Sequence, residues 1–309
     1  MAGARAIKAR IKTTKNIQQI TKAMEAVSAV KMRKSEAAAL KGRSYALYAL
    51  QILRKIENSL GDEFKKCSPL FEERTGNKTL LVVISSDKGL AGSFNSNVLR
   101  RAGIFAQNNS NISVLTIGKK VRDFFERRNF NIVKSFEGIG DYALLDEVKP
   151  ISDFIIFQFE EGYFDKIDVI YTNFISALKQ EVVHRPLLPL NKETLAQVIE
   201  NIVPETGRFA ELRDSNIGEL AEYKFEPSPK AIATKIVPSL VELEVFHSIL
   251  EANASEHAAR MVAMKNASTN AKDMIGKLTI KYNKERQAQI TKELIEIVSG
   301  KEALAAQES

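Results

Sequence analysis

The place in this 309-residue sequence where chemistry would first be sought is the corner Asp87-Lys88-Gly89-Leu90-Ala91-Gly92-Ser93. It follows an apolar, β-branched run, Thr79 to Ser86, and precedes a helical stretch that begins near Ser96. A glycine-bearing turn between a buried strand and a helix is where phosphates are commonly received, because backbone N–H groups converge there. The detail argues otherwise. There is no GxxxxGK[ST], and Gly89 with Gly92 does not make GxGxxG, so the glycines read as backbone freedom for a tight turn. The histidines are His184, His247 and His257, and the last two stand ten residues apart, roughly 15 Å along a helix and too far to share a metal. The single cysteine, Cys67, can form neither an internal disulfide nor a dithiol switch. No nucleophile–base arrangement and no paired carboxylates stand out, so no catalytic, cofactor-binding or metal-binding residue is assigned.

The elements around that corner are set out by proline. None occurs in residues 1 to 68 and none after Pro238, while six of the eight lie between Pro186 and Pro238. Two uninterrupted terminal segments therefore flank a punctuated middle. In the last segment, Leu240, Leu243, His247, Leu250, Ala254, His257, Met261, Met264, Ser268, Ala271, Ile275, Leu278 and Tyr282 alternate three- and four-residue steps, a heptad seam. Beyond Tyr282 the register shifts to Ile290, Leu294 and Ile297. In the first segment Ile17, Ile20, Met24 and Val27 suggest a matching seam, followed by Leu50, Leu53, Ile56 and Leu60. The two helices are each other's obvious partners and would pair antiparallel, with a two-copy coiled coil as the alternative. The middle alternates strands (Thr79 to Ser86, Ile112 to Ile117, Asn131 to Phe136, Ile167 to Thr172, Glu181 to Val183) with helices (Ser96 to Gln107, Lys119 to Arg128, Tyr142 to Val148), the pattern of a mainly parallel sheet. The expected division is 1–68 for the first helix, 75–190 for the α/β domain, 191–238 for a connecting segment and foot, and 239–309 for the last helix.

Charge is placed unevenly. Residues 1 to 60 hold 13 Lys/Arg against Glu25, Glu36 and Glu57, although the net charge of the whole chain is only +7. Arg5, Lys8, Lys12, Lys15 and Lys22 draw one basic stripe along the first helix, which reads as a solvated face, a nucleic-acid arm or a surface docked on acidic protein loops. The nucleic-acid alternative is weakened by the scarcity of aromatics there, Tyr45 and Tyr48 alone in the first 60 residues. The first 24 residues hold no acid, as in an organellar transit peptide, but their helical period runs on without a cleavage break, so a mature start is expected. With 44% hydrophobic and 27% charged residues the chain is a folded protein, and no apolar run approaches the ~20 residues of a membrane span.

Three blocks resemble one family. Ile20-Thr21-Lys22-Ala23-Met24-Glu25-Ala26-Val27-Ser28-Ala29-Val30-Lys31-Met32 is similar to the N-terminal helix of gamma subunits of bacterial F-type, proton-transporting ATP synthases. Ser86 to Asn97 (SDKGLAGSFNSN) is similar to that family's central turn, and Tyr282 to Gly300 (YNKERQAQITKELIEIVSG) to its C-terminal hallmark. Lys301 stands where the family usually has Ala, the stretch from about Asn191 to Ser215 is longer than the compact bacterial form, and the regulatory cysteine pair of the plastid form is missing.

The resemblance implies an α/β protein with a long antiparallel coiled coil of the terminal helices and a central Rossmann-like β-α-β domain. It implies a central-stalk rotor that couples proton flow through a c-ring to ATP synthesis or hydrolysis, without a catalytic site or cofactor of its own, Mg-ATP and ADP being bound by alpha and beta. The partners implied are three alpha and three beta subunits per copy, an epsilon subunit and the c-ring, with peripheral attachment to the cytoplasmic side of a bacterial cell membrane and no nucleic acid. Lys22, Met24 and Lys31, with Arg286, Gln287, Thr291 and Glu293, match the stretches that meet beta. Glu222, Tyr223 and Lys224 fall in the stretch resembling the foot on the c-ring and epsilon.

Overall fold

The computed structural model describes residues 2–141, 143–191 and 225–307. The segment from about Asn191 to Ser215 therefore lies outside the described residues except for Asn191, and so do Glu222, Tyr223 and Lys224. Helix α1 spans Ala2–Leu60 and is followed by the short 3-10 helices Gly61–Cys67 and Pro69–Phe71. Then come β1 (Thr79–Ile84), α2 (Phe94–Gln107), β2 (Ile112–Ile117), α3 (Lys119–Glu126), β3 (Ile132–Phe136), α4 (Leu145–Glu160), β4 (Lys166–Phe174), β5 (Gln180–Leu188) and α5 (Pro229–Gln307). Helix α5 opens ten residues before the expected boundary at 239, with Pro229 at its start, where a missing N–H costs nothing, and Pro238 inside it.

The chain forms two units, Met1–Val27 with Met261–Ser309, and Ser28–Arg260. Helix α1 begins in the first unit and ends in the second, while α5 begins in the second and ends in the first, so the two run in opposite directions.

In the second unit the sheet order is β3-β2-β1-β4-β5, parallel except for the antiparallel β4–β5 pair. Every residue of β1 is buried, which is why Thr79 to Ile84 reads as a continuous apolar run. Strand alternation sends Leu80, Val82, Ile84, Leu115, Ile167, Val169 and Tyr171 into one core, with residues of α1, α4 and α5. Leu81, Val83, Val114 and Ile170 go to the other face, with α2 and α3. Helix α4 is longer than its sequence suggested, because Ile151, Ile155 and Phe159 keep burying one face beyond Pro150.

The α5 seam follows the sequence through both units. Leu240, Leu243, His247, Leu250, Ala254 and His257 are buried in the second unit, and Met264 and Ala271 in the first. The α1 seam does so only near its end, where Leu53 and Ile56 are buried. Ile17, Ile20 and Val27 are 49%, 59% and 53% exposed, whereas Thr14, Thr21, Ser28, Met32, Ser35 and Ala39 are buried. The most buried positions of α1 thus include hydroxyl side chains every seventh residue from Thr14 to Ser35, and their polarity is met cheaply: Thr14 Oγ1 donates to Arg10 O (2.9 Å) and Thr21 Oγ1 to Gln18 O (3.0 Å). Ile290, Leu294 and Ile297 are likewise exposed rather than seam residues. Helix α5 brings residues 261–307 to the first unit against only 2–27 of α1, so its end runs past the start of its partner.

Candidate functional site

The Asp87–Ser93 corner sits at the carboxyl end of β1, as its sequence position requires. In an open parallel sheet this is where a ligand phosphate is received against a helix N-terminus. Here the seat is taken by a side chain of the protein. Asp87 Oδ1 accepts from the backbone N–H of Lys119, the first residue of α3 (2.8 Å), and Oδ2 accepts from Gly138 N (3.0 Å), just past β3. Ile249, Asn253 and Glu256 of α5 close over the same edge, leaving a cavity of about 30 Å³ beside Ser85, Ser86 and Gly118. The corner is a joint between three strand ends and α5. Asp87→Ala removes two charge-assisted acceptors from half-exposed ground and is expected to cost about 1–2 kcal/mol in urea unfolding; a stability equal to wild type would show that solvent replaces both bonds.

The turn itself is pinned from inside. Asn95 Oδ1 accepts from Ser86 N (3.1 Å), and Ser86 Oγ donates to Lys88 O (2.5 Å). Leu90 adopts φ +63°, the left-handed region that a branched side chain seldom occupies, and is 65% exposed. Arg260 of α5 reaches the next carbonyl, donating from Nη2 (3.2 Å) and Nε (3.4 Å) to Gly89 O. Its Nη2 also donates to Glu256 Oε1 (2.5 Å), and Nη1 lies 3.2 Å from His257 Nδ1.

That last contact fixes the tautomer of His257. Arginine has no acceptor, so Nδ1 must be the bare nitrogen, and Nε2 carries the proton that it donates to Asp141 Oδ1 at 3.2 Å. Burial pulls His257 down to about 4, against the pull of Asp141 and with the help of the Arg260 and Lys31 charges. Burial pushes the Asp141 carboxyl up, but the bond from Lys31 Nζ to Oδ2 (2.5 Å) and the nearby positive charges leave it below its ordinary value. Burial raises Glu256, opposed by Arg260. Ser35 Oγ donates to Asp141 O (2.9 Å), and Asn253 Nδ2 lies 3.3 Å from Gly140 O. One polar chain therefore links α1, the loop before α4, α5 and the corner.

Of the residues expected to meet partners, Lys31 is committed to Asp141 within the chain and is only half-buried. Lys22 is exposed and Met24 half-buried in the first unit. Arg286, Gln287, Thr291 and Glu293 are all exposed on α5 in that unit, Thr291 bonding back to Gln287 O and Glu293 accepting from Gln289. The structure does not gather these residues into one constellation. The basic stripe Arg5, Lys8, Lys12, Lys15 and Lys22 is exposed throughout, Lys15 and Lys22 directly following the buried Thr14 and Thr21. Asp141, Glu256 and Arg260 were missed in the sequence. Asn253, Glu256, His257 and Arg260 do share a helical face, a legible signal, but nothing local pairs them with Asp141. His184 sits 3.4 Å from Asp168 across β4 and β5. Among the described residues no group of three or more His, Cys, Asp or Glu could hold a metal ion.

A family model described as ATP synthase matches residues 3–304. The ATP synthase gamma chain of Pelotomaculum thermopropionicum is 39% identical over 305 residues, covering 98% of this chain and 100% of that one. The chain belongs to the ATP synthase gamma family. The gamma chain of Desulforamulus reducens is 38% identical with the same coverage. Among solved structures, a chain from the central stalk and c-ring of Tetrahymena thermophila mitochondrial ATP synthase is 29% identical, with a TM-score of 0.59, over 81% of this chain and 99% of that one. A chain from the Euglena gracilis mitochondrial ATP synthase shares the fold at a TM-score of 0.65 and 18% identity. In this chain, then, the β1 corner is a structural joint. No helix among the described residues is long and apolar enough to cross a membrane.

Proposed function

We propose that the chain is the central-stalk rotor of an F-type ATP synthase, a non-catalytic subunit that carries torque between a proton-driven c-ring and a head of alpha and beta subunits. The observation that carries this reading is family membership over nearly the whole chain, with a solved relative drawn from a central stalk and c-ring. The surface of the first unit supports it. Ile17, Ile20 and Val27 on α1, and Met274, Ile280, Ile290, Leu294 and Ile297 on α5, are each 47–73% exposed, more apolar display than two paired helices keep in water without a surrounding partner. A rotor can bias otherwise equivalent nucleotide sites only by offering each a different contact, and differential contact is what changes an affinity.

In this reading Mg-ATP and ADP are bound by alpha and beta, one copy of this chain serves three of each, and epsilon and the c-ring hold the opposite end. Lys22, Met24 and Lys31 with Arg286, Gln287, Thr291 and Glu293 meet beta, and the complex sits peripherally on the cytoplasmic side of a bacterial membrane. Individually weak exposed contacts, about 0–1 kcal/mol each, suit surfaces that must release at every angle. Mixing the purified chain with alpha and beta is expected to yield a one-to-three-to-three complex that hydrolyses ATP. A chain that never co-elutes with them would refute the rotor reading.

A further inference from the structure

The Lys88-Gly89-Leu90 tip is exposed, yet its backbone is held from within. An apolar side chain in a left-handed conformation at an exposed tip stores strain, and strain of this kind persists only where surrounding bonds over-determine the backbone. Two consecutive carbonyls supply those bonds: Lys88 O accepts from Ser86 Oγ, and Gly89 O accepts from both Nη2 and Nε of Arg260. Gly89 itself has open space where a Cβ would stand, so crowding does not shape the tip. Arg260 is only 7% exposed, and its fork is oriented by Glu256 on one side and by neutral His257 on the other. His257 is in turn anchored through Asp141 to Lys31 on α1.

We infer that Arg260 is a positioning residue that fixes the Lys88–Leu90 tip in one displayed conformation, so that the beta subunit of the proposed complex meets a pre-formed knob rather than a loop it must order. The clamp ties that knob to both terminal helices at once, because the residues that aim Arg260 lie on α5 and, through Asp141, on α1. Its value to the rotor is entropic. A contact made and broken repeatedly is made faster when the loop is ordered beforehand. The clamp itself stands on the geometry above, whereas its effect on turnover rests on the rotor reading.

The test uses Arg260→Gln, which removes the fork, and Arg260→Lys, which retains one donor to Gly89 O. Trypsin cleavage after the exposed Lys88 of the full chain alone, followed by mass spectrometry, is expected to quicken at least tenfold in the Gln variant and less in the Lys variant, with cleavage after Lys119 at the start of α3 unchanged. In the complex with alpha and beta, kcat for ATP hydrolysis is expected to fall several-fold in the Gln variant at unchanged KM, with partial recovery in the Lys variant. Unchanged cleavage after Lys88, or quickened cleavage with unaltered kcat, would overturn the inference. If the Gln variant does not fold, the Lys variant carries both readouts. Wild-type chain that folds but never joins alpha and beta would sink the rotor reading and leave the cleavage result to decide the clamp.

Discussion

Relative to the wild-type chain, Glu244→Gln is expected to gain about 3 kcal/mol of stability as pH rises from 4.5 to 7, and His257→Gln a similar amount as pH falls from 6.5 to 4. Glu244 is buried on α5 against the sheet, and burial, opposed by the Arg185 charge, pushes its carboxyl up to about 7 from an ordinary 4.5. The folded state then holds a proton that the unfolded chain releases, so the wild-type protein loses stability as pH climbs through that window. His257 has the opposite sense. Burial lowers it from 6.5 to about 4, so the unfolded chain takes up a proton that the folded state refuses, and stability is lost as pH falls. Each displacement spans about 2.5 pH units at about 1.4 kcal/mol per unit. Over pH 4.5–6.5 the two losses oppose each other in the native protein, and each substitution removes one of them. Tyr171, Arg185, His247 and Glu251 surround or share the region of Glu244, while Asp141, Lys31, Arg260 and Glu256 surround His257; their contributions are common to variant and wild type. Urea titrations at half-unit pH steps check the pair, and variant curves parallel to wild type would show that neither burial governs titration.

The second large effect is steric. Gly118 adopts φ +101° between β2 and α3, and a Cβ there would meet Ser85 O at 2.3 Å and Ser85 C at 2.8 Å. Ser85 cannot retreat, since its N–H is bonded to Ile117 O (2.8 Å) and its Oγ receives Val121 N (2.9 Å). Gly118→Ala therefore combines an unfavourable backbone with a backbone clash and is expected to cost about 3 kcal/mol or more. A fall in urea midpoint with unchanged slope reads this effect, and a loss below 1 kcal/mol would mean the β1–β2 ends can part freely.

What the sequence disclosed depended on whether burial and hydrophobicity coincided. They do in β1 and β2, whose residues are packed on both faces or nearly so, and along α5, where Leu240 to Ala271 mark the inner face. They part on α1. Its inner face is Thr14, Thr21, Ser28 and Ser35, and its most hydrophobic stripe, Ile17, Ile20 and Val27, is turned outward, so a rule that sends the aliphatic face inward chose the wrong side. The same reversal misplaced Ile290, Leu294 and Ile297. Pro150 masked the length of α4, because a proline reads as a stop where a long buried face in fact sustains the helix. The corner at Asp87 was visible from its glycines, but the partners that fill it, Lys119 and Gly138, lie 32 and 51 residues away. Asp141 and His257 are farther apart still and belong to elements whose neighbourhood only the folded chain discloses.

Thr14 and Thr21 spend their hydroxyls on carbonyls of their own helix. Those two hydroxyls therefore make no polar demand on α5. When one helix creeps along the other or rolls slightly about its axis, no donor is stranded and little apolar area changes hands. At these two positions close fit alone holds the pair, and a small shift of one helix along the other breaks no hydrogen bond of Thr14 or Thr21.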